Sequence, residues 1–512
     1  MQSTKAARGI LYLTIQQITQ YLVALTFYAG IARLITQAEV GLWSMLTAST
    51  AVFSTLTLLG LPVTTQKYVS EYRGRGDLDA AASISRVVFI IAALSTVPAL
   101  AVALPLSRTL STLILGGTEH VIPFMLILSS SAILNFTALY GAEMLGLGMY
   151  LEFAIQNLAF ILVSRASGLA LAYRGYGLLG LVAGSLIGAL SCLTLSIYFM
   201  LKKLPKPSSH TRDLYGMVFK YGYPIWLLAM IALVQNWADV TLFYALTGEA
   251  ALTGIYYLAS AGATLLSILW AAVSTVALPL MSSEEARVGR HAIPIIYNAS
   301  SRLLNILVLP LGAGLAAIAR TAITIAYGPA YIDGAAAFAL LTATAILPAY
   351  VSINTSTLQA LAETRILAKI GAASAAVDVM LVTVLAKPLG VNGAALARIG
   401  MYAISFIWTQ MTLASKAQIR IDCNHLKKTT AAAAAVGLLL ATIDYGLTHL
   451  CEANPITRLV IEGASFITVY TISLRLLKII QKGDLEPLGV PAVSRIISLF
   501  LEGDTARNHE TH

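Results

Sequence analysis

Long uninterrupted runs of apolar residues dominate this 512-residue chain. A helix needs about 20 apolar residues to cross the hydrocarbon of a bilayer, and by that criterion the pattern predicts about fourteen spans. They lie near residues 9–32, 40–63, 85–106, 121–142, 152–173, 176–201, 223–246, 253–281, 299–318, 334–357, 367–388, 391–415, 429–449 and 457–477. The runs are continuous rather than alternating, which indicates helices and not the strands of an outer-membrane barrel.

The composition supports a polytopic membrane protein of the all-α class. Hydrophobic residues make up 58% of the chain and charged residues 11%, with a mean hydropathy of +0.79, whereas soluble domains carry about 25% charged residues. With the N-terminus inside, most of the 33 Lys and Arg fall on the cytoplasmic side. The net charge of +9 is therefore a topology signal and not a nucleic-acid surface. The protein is expected in the cytoplasmic membrane, with both termini on the cytoplasmic side.

Several kinds of chemistry are excluded or disfavoured. The three cysteines form no disulfide framework, because Cys192 lies in a span, Cys423 is predicted inside and Cys451 outside. No Cys/His cluster has the spacing of a metal site, and no Walker A sequence is present, which argues against an ATP-driven pump. We find no catalytic constellation. We expect no enzyme activity and no cofactor, apart from a coupling cation such as H⁺ or Na⁺.

The chain contains an internal repeat at an offset of about 213 residues. "SAILN" (131–135) meets "TAILP" (344–348), and glycines coincide at equivalent turns. The glycine pairs are Gly41 with Gly254, Gly177 with Gly390, Gly180 with Gly393 and, at an offset of 212, Gly116 with Gly328. We predict two parallel-repeat six-helix lobes with two added C-terminal helices, and a cleft between the lobes that alternates its access. The boundaries are 1–201 for the N-lobe, 202–222 for a cytoplasmic linker, 223–415 for the C-lobe and 416–512 for the remainder.

The candidate ionisable residues within predicted spans are Arg165, Asp239, Asp378, Asp444 and Glu462. Two of these five are related by the repeat. Arg165 and Asp378 are 213 residues apart and so occupy equivalent places in spans 5 and 11. One hypothesis is a closed-state pair that an anionic substrate separates, with Arg165 binding a phosphate by fork geometry. The alternative is a structural pair, or two residues satisfied separately. For Asp444 and Glu462 we favour local packing.

A polar stripe on span 7 is a second candidate for the site. Gln235, Asn236 and Asp239 share one helical face. The counterpart in span 1 carries glutamines, among them Gln20, and no acid. If these stripes line the cleft, Asp239 is suited to a coupling cation or proton and the amides to sugar hydroxyls. Alternatively, Asp239 satisfies a neighbouring helix.

Five patches in order resemble prokaryotic polysaccharide exporters and flippases of the multidrug/oligosaccharidyl-lipid/polysaccharide exporter superfamily. They are "ITQAEVGLWSML" (35–46), "GLPVTTQKYVSEYRGRGDLDAA" (60–81), "WADVTLFYALTGEAALTGIYYLA" (237–259), "IAYGPAYIDGA" (325–335) and "GVNGAALAR" (390–398). The second resembles a loop in that family. Two departures stand out: Trp43 replaces a common tyrosine, and span 1 lacks the acid typical of the cation-coupled drug-exporting branch.

The resemblance implies two lobes around a central cavity and the flipping of lipid-linked oligosaccharides or polysaccharide precursors between leaflets. The substrate would be a polyprenyl-(pyro)phosphate-linked glycan, handled by a monomer, and Asp239 is the candidate site residue carried over by motif. Lys67, Arg73 and Arg75 either attract the headgroup or only fix the topology. Two rivals remain: an ion-coupled drug or small-solute exporter of the same fold and, less favoured, a polyprenyl-phosphate-dependent membrane glycosyltransferase. Residues 487–503 are predicted to form an interfacial helix.

Overall fold

The computed structural model describes residues 2–201, 203, 212–449 and 454–476. These residues are helical and include no β-strand, which confirms the predicted all-α class. Contacts divide the chain into two compact units, Met1–Tyr257 and Leu258–His512. The predicted lobe boundaries remain predictions. Residues 202 and 204–211 of the predicted linker lie outside the described residues, as do Cys451 and the interfacial helix predicted at 487–503.

Nine complete helices lie in the described part of the first unit. They are α1 (Gln2–Leu34), α2 (Gln37–Leu58), α3 (Leu61–Gly74), α4 (Leu78–Ala103), α5 (Ser107–Leu115), α6 (Val121–Gly146), α7 (Tyr150–Leu171), α8 (Gly177–Met200) and α9 (Arg212–Thr247). A π-helical segment, Ala172–Tyr176, connects α7 to α8. The next helix, α10 (Ala250–Thr264), begins in this unit and continues into the second.

The second unit contains the remaining helices. They are α11 (Ser267–Val288), α12 (Ala292–Ala317), α13 (Ala319–Tyr327), α14 (Ala335–Ala343), α15 (Ile346–Ala360), α16 (Thr364–Ala417), α17 (Cys423–His449) and α18 (Pro455–Leu476), with a 3₁₀ turn at Pro329–Gly334. Among the described residues, nine helices are long and apolar enough to cross a membrane, or ten if the bent pair Pro329–Ala343 and Ile346–Ala360 is one span. The count of about fourteen spans therefore stays a prediction.

Two helical hairpins, α7–α8 and the two arms of α16, turn at a repeated glycine. Gly177 has φ 48° and ψ −132°, and Gly390, 213 residues later, has φ 53° and ψ −134°. A side chain rarely tolerates positive φ, which explains why glycine occupies both turns. The second arm of each hairpin then packs against the first: Gly184 lies against Gly168, and Gly393 lies against Leu385. The turns predicted between spans 5 and 6 and between spans 11 and 12 are found at these two positions.

Other element boundaries recur at nearly the same offset. Helices α4 and α12 each have 26 residues. The nine-residue helices α5 and α13 each end at a glycine with positive φ, Gly116 and Gly328. The repeat is not complete, because α6 is continuous whereas its counterpart is divided into α14 and α15.

The segment compared with a family loop, residues 60–81, is mainly the helix α3. Leu59 and Gly60 adopt left-handed conformations that end α2, and Pro62 stands in the first turn of the new helix, where its missing N–H costs nothing. Leu61 and Val69 are buried, and Leu61 joins a core cluster with residues of α4 and α6. The loop interpretation was wrong because many residues of α3 are polar, and its two buried apolar residues are too widely spaced to indicate a helix in the sequence.

In the second unit, Asp422 fixes the start of α17. Its Oδ1 accepts the backbone N–H of His425 at 3.0 Å, and its Oδ2 accepts Arg302 Nη2 at 2.7 Å. The His425 N–H first, and the Arg302 guanidinium after it, lower the pKa of Asp422 below its ordinary value despite partial burial. This carboxylate therefore joins α12 to the N-terminus of α17.

Candidate functional site

Arg165, on α7, lies against aromatic rings of α1 and α2. Its guanidinium carbon is 4.0 Å from the ring centroid of Phe27 and 5.8 Å from that of Trp43. Both rings are buried, whereas Arg165 is half-buried. Within the described part of the first unit, no carboxylate forms an ion pair with Arg165. The cation is therefore held by ring faces, an interaction of about 0.5–2 kcal/mol, and not by a salt bridge.

The capped start of α2 fixes the helix that carries Trp43, one of the two rings in contact with Arg165. Thr36 and Glu39 form a capping box, in which the Thr36 hydroxyl accepts the Glu39 N–H and the Glu39 carboxylate accepts the Thr36 N–H. The other oxygen of Glu39 accepts the backbone N–H of Leu178 at 3.1 Å, beside the Gly177 turn. One carboxylate therefore connects α2 to the α7–α8 hairpin that carries Arg165.

Asp239, on α9, is fully buried and has its own hydrogen-bond donors. The hydroxyl of Tyr256, on α10, donates to Oδ2, and the backbone N–H of Val240 donates to Oδ1 at 2.8 Å. Tyr256 is also fully buried, with its ring 5.9 Å from that of Phe243. This geometry provides the neighbouring-helix partner that the sequence analysis considered for Asp239. Its predicted role in a site stays a prediction.

The amide residues of the two polar stripes are more accessible than Asp239. Gln235 is half-buried and Asn236 is exposed, with its Nδ2 donating to the carbonyl of Ala232 at 2.7 Å. Gln20 is exposed on α1 and accepts a hydrogen bond from Gln16 Nε2 at 3.2 Å. The stripe on α9 thus combines an exposed, a half-buried and a buried polar side chain.

Asp378 lies in the second unit, on the first arm of the α16 hairpin, and is 1% exposed. The second arm carries Arg398, whose Nε is also buried. Arg398 is absent from the candidates selected by sequence, although it stands eight positions beyond the turn at Gly390 and inside the predicted span 391–415. Because Arg165 belongs to the first unit, its pairing with Asp378 remains a prediction.

A basic cavity of about 600 Å³ lies beside α3 in the first unit. Lys67 and Arg73 both line it, together with Gln66, Ser70 and Tyr150. The ammonium of Lys67 is 3.9 Å from the ring centroid of Tyr221, and Arg73 Nη1 donates to the carbonyl of Gly146 at 3.2 Å. Arg75 is instead an exposed partner of Glu71. Two of the three basic residues singled out in this segment therefore share a cavity.

Comparisons with known proteins agree on the fold. A family model described as "Polysaccharide biosynthesis protein" matches residues 6–284. The structure of the lipid II flippase MurJ in an inward closed conformation has a TM-score of 0.75 at 14% identity, covering 91% of this chain and 98% of that one.

An inward-facing multidrug resistance MATE transporter gives a TM-score of 0.63 at 14% identity, covering 80% of this chain and 99% of that one. A MOP superfamily transporter from Pyrococcus furiosus gives 0.56 at 13% identity, covering 80% and 96%. No curated protein sequence matches significantly. At these identities the structural similarity shows the fold alone.

Proposed function

Because this chain belongs to the polysaccharide biosynthesis protein family of the MOP superfamily, we propose that it flips lipid-linked oligosaccharide or polysaccharide precursors across the membrane by alternating access. The observation that carries this proposal is the family match over residues 6–284, joined to a fold that a lipid II flippase also has. The chemistry is transport and not catalysis. The substrate is a glycan on a polyprenyl phosphate or pyrophosphate.

Moving such a headgroup through a bilayer requires replacement of its hydration. Removing water from a phosphate or a sugar hydroxyl costs several kcal/mol for each group unless other groups form hydrogen bonds with it. Arg165 suits the phosphate, because its cation is held on ring faces and the planar fork of N–H donors matches two phosphate oxygens. The cavity at Lys67 and Arg73 is a suitable first site for the anionic headgroup at the predicted cytoplasmic face.

The remaining parts of the proposal concern the other site residues and the setting. Asp239, Asp378, Gln235, Asn236 and Gln20 line the path of the headgroup, with amides bonding sugar hydroxyls. The protein works as a monomer in the cytoplasmic membrane with both termini inside, uses no resident cofactor and draws on an H⁺ or Na⁺ gradient.

The test is translocation of a fluorescent polyprenyl-pyrophosphate oligosaccharide in proteoliposomes. Hydrogen bonds to charged groups contribute about 1.5–3 kcal/mol, so loss of the guanidinium in Arg165→Ala should slow flipping by about tenfold or more. Arg165→Lys keeps the charge without the fork and should fall between. Arg75→Ala is the matched control, because this arginine is exposed and outside the cavity. Equal flipping by Arg165→Ala and the wild type would remove Arg165 from the site.

A second candidate function is export of drugs or small solutes, which the MATE-like fold favours. The same vesicles, loaded with cationic dyes, distinguish the two. Dye efflux without glycolipid flipping would replace the flippase by an exporter. Analysis of the glycolipid after incubation covers the glycosyltransferase alternative, because sugar transfer without translocation would favour an enzyme.

A further inference from the structure

Glu462, on α18, is a buried acidic residue. It is 1% exposed, and neither carboxylate oxygen receives a hydrogen bond from an N–H or O–H group among the described residues. Its apolar neighbours on the same helix include Phe466 and Val469, which pack with Val436 and Leu440 of α17. An ionised carboxylate without donors in such surroundings costs several kcal/mol. Local packing, which we favoured from the sequence, does not explain why an acid stands there.

The group within hydrogen-bonding reach of Glu462 is another carboxyl, that of Asp444 on α17. Asp444 is half-buried, and its Oδ1 accepts the hydroxyl of Thr321, on α13, at 2.6 Å. Two carboxylates that share a site cannot both remain ionised without strong repulsion. One proton between them removes this repulsion, because the protonated acid becomes the donor that Glu462 otherwise lacks.

A cavity of about 510 Å³ borders Asp444. Asp444 lines the cavity with the exposed residues Arg320, on α13, and Asp333, on the 3₁₀ turn that follows. Arg458, one turn before Glu462 on α18, is the other charged group that acts on it. No group of three or more His, Cys, Asp or Glu side chains that could hold a metal ion occurs in the described part of the chain. Two facing carboxyl groups of this kind can share one proton.

We propose that Asp444 and Glu462 form a proton-binding site that exchanges one H⁺ with the water of this cavity. On binding, a hydronium ion gives its proton to one carboxylate, which then donates a hydrogen bond to the other; on release the proton returns to water and both groups carry negative charge. Arg320 and Arg458 offset part of that charge. The site lies in the two helices added to the repeat, and it does not depend on which substrate is carried.

The experiment is pH-difference infrared spectroscopy of the purified full-length protein in lipid. The carbonyl stretch of a protonated carboxylic acid should be present at neutral pH and disappear on alkalinisation. Glu462→Gln and Asp444→Asn should each lose this band, because an amide N–H replaces the shared proton and leaves the partner ionised. Asp333→Asn, in the same cavity but exposed, is the matched control and should keep the band.

Each outcome decides for or against the site. Absence of a titrating acid band in the wild type overturns the proposal, and this measurement needs no variant to fold. A band that persists unchanged in folded Glu462→Gln and Asp444→Asn belongs to another residue and also overturns it. Addition of Na⁺ at constant pH should leave the band intact, whereas its loss would mean that the pair binds a metal cation instead.

Discussion

Two glycines related by the repeat bring the backbones of α2 and α10 close together in the first unit. Gly41 on α2 and Gly254 on α10 face each other: a Cβ built on Gly254 would lie 2.8 Å from Gly41 N, and one built on Gly41 would lie 3.0 Å from Gly254 N and overlap the carbonyl oxygen of Ala250. All of these neighbours are backbone atoms, so no side chain can rotate to make room. Gly41→Ala must therefore separate two helices.

The expected cost follows from that geometry. Overpacking a tight contact costs about 1–3 kcal/mol, and a backbone-to-backbone contact belongs to the upper part of this range. Alanine recovers up to about 1 kcal/mol of helix propensity, which leaves a net loss of roughly 2 kcal/mol. Gly216→Ala is the matched control, because this helical glycine on α9 has no atom within 4 Å of its built Cβ. It should stabilise by about 0.4–1 kcal/mol.

The assay is equilibrium unfolding in mixed detergent micelles, followed by tryptophan fluorescence. The reasoning predicts shifts of opposite sign for the two alanine variants in one protein. Gly254→Ala should destabilise as Gly41→Ala does, and the double variant should cost less than the sum, because helices already separated accept a second methyl group. A stability gain for Gly41→Ala comparable to that of Gly216→Ala would refute the close approach of α2 and α10.

Three further predictions concern single polar contacts. Glu39→Ala removes the capping box and the bond to the α7–α8 turn, and should lower the free energy of unfolding by about 1–2 kcal/mol. An unchanged free energy of unfolding would contradict the connection of α2 to this turn through Glu39. Tyr256→Phe leaves the buried Asp239 short of a donor and should cost about 1–3 kcal/mol, a loss that Asp239→Asn in the same chain should reduce. The lowered pKa of Asp422 means that its stabilisation is complete above the unfolded value of about 4 and is lost as pH falls through the folded pKa. The melting-temperature difference between the wild type and Asp422→Asn should therefore shrink on acidification from pH 6 to about pH 3, and a constant difference would contradict this assignment.

The sequence was sufficient for the helical class and for the hairpin turns. Continuous apolar runs can form only helices in lipid, and Gly177 and Gly390 are the positions where only glycine accepts the required backbone. The short helices α3, α5 and α13 were not predicted. Each is short and largely polar on one face, so it lacks the length and hydropathy by which a span is recognised.

The partners of the charged residues could not be predicted for a different reason. Phe27 and Trp43 are more than 100 residues from Arg165 in the sequence, and contacts between distant helices leave no periodic signal. Tyr256 lies on the helix after that of Asp239, and nothing in a tyrosine's position indicates that its hydroxyl points to a carboxylate. The sequence identified Arg165 and Asp239 as charges that need compensation, and the fold shows what compensates these two.

The predicted pairing of Arg165 with Asp378 can be decided by magnitudes. Breaking a buried ion pair by removing one partner costs about 3–5 kcal/mol, whereas the contact of Arg165 with its aromatic rings contributes about 0.5–2 kcal/mol. If the two residues pair during transport, the exchanged variant Arg165→Asp with Asp378→Arg restores the ion pair, which contributes more. It loses only the weaker contact between the arginine and the aromatic rings. We therefore expect it to flip the glycolipid faster than Arg165→Ala or Asp378→Ala. If the exchange is no better than either single variant, the arginine serves through its ring-held position in the first unit, and the aspartate through its place in the α16 hairpin.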